Sequence, residues 1–299
     1  MLRRSNGLLG IAILISILVL RCGWAGEQPD AVQPAGNENM IGRENDADGK
    51  QGPEWFSDRG RAFAPLLADP REAQVRVGFI YDKHEDKFLD LGFGGDVGLL
   101  RDSTDDGRLF SLTVRGLMTA RFQFFSESFD MYNTDFIGGP AAGFRYKATA
   151  FELFLYHQSS HLGDDKIANG EREAIDYSRE AVRFLASHEF PGLRIYGGPT
   201  FNFRGEPDDL DKAFIMQGGA ERPFRLLGRE MYAAVDVQLR EENDWDANLS
   251  AQIGMQLGNP AKVHHRQRVF IEYFTGHSNM GQYYDEHERY VMLGLGYNF

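Results

Sequence analysis

From residue 74 to residue 299 apolar and polar side chains alternate with a period of two. That period belongs to extended strands, because successive side chains of a strand point to opposite faces. Phe110, Leu112, Val114, Gly116, Met118, Ala120, Phe122 and Phe124 fall on one face, and Ser111, Thr113, Arg115, Thr119, Arg121 and Gln123 on the other. Met231, Ala233, Val235, Val237 and Leu239 oppose Glu230, Asp236, Gln238 and Arg240. Near the end, Val291, Leu293, Leu295, Tyr297 and Phe299 oppose Met292, Gly294, Gly296 and Asn298.

Twelve such runs can be read, near 74–84, 88–101, 109–125, 132–146, 148–160, 175–188, 193–204, 213–221, 229–240, 246–258, 264–276 and 288–299. Most reach the roughly 9–11 residues that a tilted strand needs to cross a bilayer. An even number of long strands, each with an apolar and a polar face, predicts an all-β fold: a twelve-stranded antiparallel transmembrane β-barrel of the outer-membrane type. A soluble β-sandwich also alternates, but its strands run shorter and it has no wet interior to receive charge from nearly every strand.

The first residues read as an export signal. Arg3 and Arg4 precede an uncharged apolar stretch, Leu8 to Leu20, and Gly23-Trp24-Ala25 offers small residues for cleavage after Ala25. The apolar stretch is shorter than the roughly 20 residues of a spanning helix. Arg21 before Cys22 does not suit a lipoprotein signal. The expected division is a signal peptide at 1–25, a disordered acidic periplasmic arm at 26–55, a docking segment at 56–73 and the barrel at 74–299. The arm lacks the large apolar residues that would offset its ordering entropy. Trp55-Phe56, at the junction of arm and docking segment, and Phe63-Ala-Pro-Leu-Leu-Ala68 are apolar enough to dock on the barrel or plug it.

Composition narrows the function. With 32 Lys+Arg against 44 Asp+Glu the formal net charge is -12, which argues against a nucleic-acid partner. The single cysteine excludes an internal disulfide and a cysteine-rich zinc site. No glycine-rich phosphate loop leads from a strand into a helix.

With both termini periplasmic, the connections 85–87, 126–131, 161–174, 205–212, 241–245 and 277–287 face outward from the cell, and Pro191-Gly192 and Asn259-Pro260 mark periplasmic turns. Parity sends Arg76, Asp90, Arg115, Arg121, Glu152, Arg179, Arg183, Arg194, Glu230, Asp236, Arg240, Arg266, Arg268 and Glu272 inward. Mixed signs suit an ion-pair network that closes a narrow lumen; a charged pore is the alternative.

One constellation could carry chemistry. His157 and Ser159 share the lipid-facing parity of Phe151, Leu153 and Leu155, and Ser178 and Glu180 share that of Val182 and Phe184. An antiparallel hairpin can pair His157 with Ser178 or with Glu180, whichever register the loop selects. Ser159 would be a nucleophile, His157 its base, and Glu180 or Ser178 the group that orients the imidazole. Asp164, Asp165 and Asp176 in the adjoining connection are candidate calcium ligands or a solvated acidic loop. His277-Ser278-Asn279 is a weaker candidate, since adjacent residues of a strand face opposite sides.

His157-Gln-Ser159 on an outward strand end resembles the outer-membrane phospholipase A family, and His-x-Ser with a glutamate resembles the lipid A deacylase barrels. The phospholipase motif continues Asn-Gly after its serine, where this chain has Ser160-His161. That resemblance implies acyl-ester hydrolysis of membrane lipid, with calcium and dimerisation in the phospholipase case. Phe63–Pro70, Tyr156–Asp164 and Gly276–Gln282 resemble a domain-of-unknown-function family of exported barrel proteins, a likeness that covers most of the mature chain and brings no activity. The terminal Tyr297-Asn298-Phe299 resembles the sorting signal of outer-membrane barrels, which implies the barrel assembly machinery as a partner through Phe299 and the cell outer membrane as the location, with its lipid as a second partner. Three functional readings stand: a closed structural or interaction barrel, a lipid acyl-ester hydrolase, and a small-solute channel.

Overall fold

The computed structural model describes residues 52–58, 60–82, 87–124, 126, 129–257 and 266–298, without the side chain of Arg266. The signal peptide at 1–25, the arm up to residue 51, the Asn259-Pro260 turn and Phe299 lie outside the described residues.

Thirteen strands follow one another: β1 (Gly52–Trp55), β2 (Val75–Asp82), β3 (Lys87–Ser103), β4 (Arg108–Gln123), β5 (Met131–Tyr146), β6 (Thr149–Leu162), β7 (Tyr177–Phe190), β8 (Leu193–Glu206), β9 (Phe214–Leu226), β10 (Arg229–Arg240), β11 (Ala247–Leu257), β12 (Arg266–His277) and β13 (His287–Asn298). From β2 onward each strand pairs antiparallel with its chain neighbours, and β13 returns to β2 in the register Tyr290↔Asp82 to Tyr297↔Val75. The ring of β2–β13 is therefore a closed twelve-stranded barrel. Closure matters because an open edge would leave backbone N–H and C=O groups without partners in lipid.

The alternation resolves into an outside and an inside. On β13, Val291, Leu293 and Leu295 are exposed while Tyr290 and Met292 are buried. On β2, Val77, Phe79 and Tyr81 are exposed while Arg76 and Ile80 are buried. The buried set includes Arg76, Asp90, Arg115, Glu152, Arg194, Glu221 and Glu272. An exterior of aliphatic and aromatic side chains around a charged interior is the reverse of a soluble protein.

Residues 52–55 depart from the expectation of a disordered arm. β1 pairs with β3 from Gly52↔Ser103 to Trp55↔Leu100. The physical reason lies in β3, which runs past the last residue that β2 can pair, Gly92 opposite Arg76. Without β1 the edge at Leu100–Ser103 would have β4 on one side only.

The following segment enters the lumen and turns back. At its tip the N–H of Arg71 donates to Asp69 Oδ1 at 2.9 Å and the N–H of Glu72 to the Asp69 carbonyl at 3.1 Å. On the way in, Phe63 and Leu66 pack with Ala150, Leu185 and Tyr196 of the wall. Arg194 donates to the carbonyls of Ala64 and Pro65 at 2.9 and 3.1 Å, and the N–H of Leu67 donates to Glu221 at 2.7 Å. Arg61 pairs with Glu72 at 2.6 Å and with Asp96 at 3.1 Å. Asp69 receives Arg183 at 3.3 Å and Gln217 at 3.1 Å. On the way out, Gln74 accepts from Arg268. Residues 61–74 thus form a plug most of whose polar groups are met by the wall, as buried polar groups generally are; Arg61 Nε, Arg71 Nε and Nη2 and Gln74 Nε2 are the exceptions.

The β12–β13 connection folds inward from the opposite end. Ser278, Met280, Gly281, Gln282 and Tyr283 are buried. The N–H of Gly281 donates to Asp135 at 3.0 Å, and Gln282 donates through Nε2 to the carbonyls of Ser160 and Ile175 at 2.9 and 2.8 Å. Tyr283 stacks on Tyr132 with ring centroids 4.1 Å apart, and burial pushes its phenol up to about 12. Gly281 has no room for a side chain, because a Cβ there would lie 2.5 Å from the Cβ of Ser160.

Candidate functional site

β6 and β7 supply the rim constellation. Their register sets His157 opposite Glu180 and Ser159 opposite Ser178. All four fall on the outward parity, with Gln158 and Ser160 turned into the lumen. His157 Nδ1 and Glu180 Oε1 are 2.8 Å apart, and the pair is half-exposed. With the proton on Nδ1 donated to the carboxylate, Nε2 keeps its lone pair, the tautomer that a general base requires. Neither Ser159 nor Ser178 donates a hydrogen bond to His157. The acid–imidazole half of the constellation is therefore joined, and the serine half lies one pairing step along the same strands without a hydrogen bond to it.

Glu180 has a second cross-strand neighbour, Arg204 of β8. A register shift between Glu180 and Ala181 places it there. His161 extends the same outward face and meets the ring of Phe136 edge-on at 5.9 Å. The polar rim sits directly beyond Leu153, Leu155 and Phe184, which are exposed on the same strands.

The connection after β6 holds a short helix, α1 (Asp164–Ala168). Asp164 and Asp165 lie in its first turn, and Asp165 accepts from the Met131 N–H at 3.3 Å. Lys166 donates to Glu171 at 2.6 Å, and that hydrogen bond holds the Glu171 carboxyl below its usual range. Asp176 lies at the far end of the connection, exposed. Among the described residues no three His, Cys, Asp or Glu side chains gather into a metal-binding group, so Asp164, Asp165 and Asp176 are not brought together as a calcium site. His277 and Ser278 diverge as adjacent residues should: His277 Nε2 lies 3.6 Å from Asp246, while Ser278 donates to Glu288 at 2.6 Å.

Most of the inward set is joined by ion pairs. Arg115 meets both Glu152 oxygens at 3.0 and 2.7 Å and Asp96 at 2.9 Å. Arg183 reaches Glu152 at 3.1 Å, Arg194 reaches Glu221 at 3.1 Å, and Arg76 reaches Asp90 at 2.7 Å. Alternation alone foretold these directions. It did not foretell Asp135, Ser160 and Gln282, which seal the lumen at the end away from the plug. Their only sequence signal is the glycine-bounded run Gly276–Gly281, short and polar between two strands.

A profile of the family described as "Protein of unknown function (DUF1207)" matches residues 34–299. No curated protein matches the chain. Among solved structures, the KdgM porin aligns over 76% of this chain and 99% of its own at 10% identity and a TM-score of 0.37. The β domain of the Bordetella autotransporter BrkA aligns over 76% and 97% at 14% identity and a TM-score of 0.39. The translocator domain of NalP from Neisseria meningitidis aligns over 76% and 87% at 15% identity and a TM-score of 0.37.

Proposed function

The chain belongs to the DUF1207 family of proteins of unknown function, and we propose that it is an outer-membrane barrel closed in its resting state by its own N-terminal plug. The observation that carries this reading is the set of wall groups committed to the plug: Arg194, Glu221, Arg183 and Arg268 hold backbone or side chains of residues 64–74. Two ends of the lumen are filled by different parts of the chain, the plug from one side and the β12–β13 connection from the other. The exposed aliphatic band supports insertion in a bilayer, since soluble monomers rarely expose apolar patches beyond a few hundred Å². Refolded protein in planar bilayers is expected to pass no steady current at physiological salt. A stable unit conductance from the unaltered chain would make it an open channel instead.

The bilayer-facing surface gives a sharper test of insertion. Leu293 is 56% exposed near the middle of β13. Leu293→Arg is expected to destabilise the barrel in vesicles by about 2–4 kcal/mol, the range for a cation at the bilayer midplane. Urea unfolding followed by tryptophan fluorescence reads the difference. A change within about 0.5 kcal/mol, ordinary for a water-facing site, would place that surface in water.

A second reading is favoured by the 2.8 Å contact between His157 and Glu180. In this reading a rotation of the Ser159 side chain brings its hydroxyl to the oriented imidazole, which accepts the proton as the serine oxygen attacks an acyl ester. Ser159 is the nucleophile of this reading and Ser178 its neighbour across the strands. Refolded protein is expected to release fatty acid from phospholipid or lipid A vesicles, and Ser159→Ala to lower the rate by at least about a hundredfold. Loss only with Ser178→Ala moves the nucleophile to β7. Absence of release by the unaltered protein, with and without calcium, ends the hydrolase reading and leaves the closed barrel standing.

A further inference from the structure

We propose that the point where the plug tip meets the inward-folded β12–β13 connection is a binding site for a single halide ion. A cavity of about 10 Å³ lies there, lined by Arg71 of the plug, Arg76, Asp90 and Asp135 of the wall, and Asn279 and Met280 of the connection. Its polar lining is short of acceptors. Nε and Nη2 of Arg71, Nε and Nη1 of Arg76, and Nδ2 of Asn279 are all buried without a hydrogen-bond partner among the described residues. Arg76 is only 5% exposed and Asn279 is buried, while Arg71 is half-buried with its Nε and Nη2 covered.

The two carboxylates of the lining are already engaged. Asp90 accepts from Arg76 at 2.7 Å and from Arg121 at 3.4 Å. Asp135 accepts from Asn133 at 2.7 Å, from Gln158 at 3.3 Å, from the Gly281 N–H at 3.0 Å and from Ser160. The cations are less well matched. Arg71 reaches only the neutral oxygen of Gln158, at 3.3 Å. Arg240, next to Asn279 at 2.7 Å, otherwise meets only the neutral oxygens of Gln238 and Ser278. Among the described residues neither has a carboxylate within ion-pair distance.

A guest for such a place must accept hydrogen bonds, offer none and carry negative charge. A water molecule would satisfy some donors but add two of its own. Burial of guanidinium groups without a counter-charge is costly, and an anion removes that cost. The volume fits one atom of about water size, which admits chloride or bromide and excludes sulfate or phosphate. Held there, the ion ties the plug to the connection that closes the other end.

Crystals of the full chain soaked in bromide, with data collected at the bromine absorption edge, give the first readout. An anomalous peak between Arg71, Arg76 and Asn279 is expected, and it should vanish in Arg71→Gln. Ordinary water density without anomalous signal in the unaltered protein overturns the proposal. The second readout is the unfolding midpoint of refolded protein in sodium bromide against sodium gluconate at one ionic strength. A saturable rise of about 2–4 °C is expected once bromide reaches about five times its Kd. Equal midpoints in the two salts overturn the proposal as well. Should Arg71→Gln fail to fold, the peak and the midpoint in the unaltered chain still decide.

Discussion

Replacement of residues 61–72 by a Gly/Ser linker is expected to turn a silent barrel into a conducting one. The plug supplies the apolar bulk of Phe63, Leu66 and Ala68 and the polar links of Arg61, Asp69 and Glu72. Once these are gone, the wall keeps Arg194, Glu221 and Arg183 without their plug partners, and water enters to hydrate them. A twelve-stranded barrel is narrow, so its own side chains and the β12–β13 connection still restrict the path. The current expected is therefore that of a small pore, at least about tenfold above the leak of the unaltered chain. Planar bilayer recordings of both proteins make the comparison. A linker variant that inserts, resists protease as a barrel and stays silent would show that the wall alone closes the lumen, and the plug would lose its assigned role.

Glu152→Ala is expected to cost about 3–5 kcal/mol, the largest stability loss of any single wall substitution considered. Glu152 is 3% exposed and receives Arg115 through both oxygens, with Arg183 at 3.1 Å and Arg61 at 3.9 Å. Its removal leaves buried guanidinium groups with fewer counter-charges, and breaking a buried pair from one side costs that much. The exposed pair of Arg225 and Glu230, 2.8 Å apart with Arg225 at 70% exposure, is the control. Arg225→Ala should change stability by less than about 1 kcal/mol, because water screens such a pair. Urea unfolding of the three proteins in vesicles reads both numbers. Equal effects at Glu152 and Arg225 would mean that water reaches Glu152 freely and that the lumen is open.

How far the sequence carried this picture depends on the range of the signal. Alternation is local, so it found every strand of the ring and the inward face of residues such as Arg76, Arg115 and Glu152. It set the end of the 213–221 run too early, because Arg222 and Pro223 break the pattern there. β9 continues to Leu226 with β10 as its only partner, since β8 stops pairing at Arg194 opposite Glu221. A proline is tolerated on such a free edge, where its missing N–H costs no ladder bond. β1 was missed because four residues with a proline, Gly52-Pro-Glu-Trp55, show no period. The partners of the plug and of the β12–β13 connection were invisible for a different reason: the Leu67 N–H bonds Glu221, 154 residues away, and the Gly281 N–H bonds Asp135, 146 residues away. Nothing in a local pattern encodes such a contact. At the rim, parity put His157, Ser159, Ser178 and Glu180 on one face, but the register of β6 on β7 chose Glu180 over Ser178 as the partner of His157, and side-chain torsions decide whether Ser159 touches the imidazole.

Side-chain environment along β13 bears most directly on the barrel itself. Nitroxide labels at successive positions 290 to 295, in refolded protein in vesicles, report collision with oxygen from the lipid and with a nickel chelate from water. Labels at 291, 293 and 295 are expected to meet oxygen and not nickel, and labels at 290, 292 and 294 to meet little of either. Nickel contact at the odd positions, or one value at all six, would contradict a closed cylinder with lipid outside and a filled lumen within.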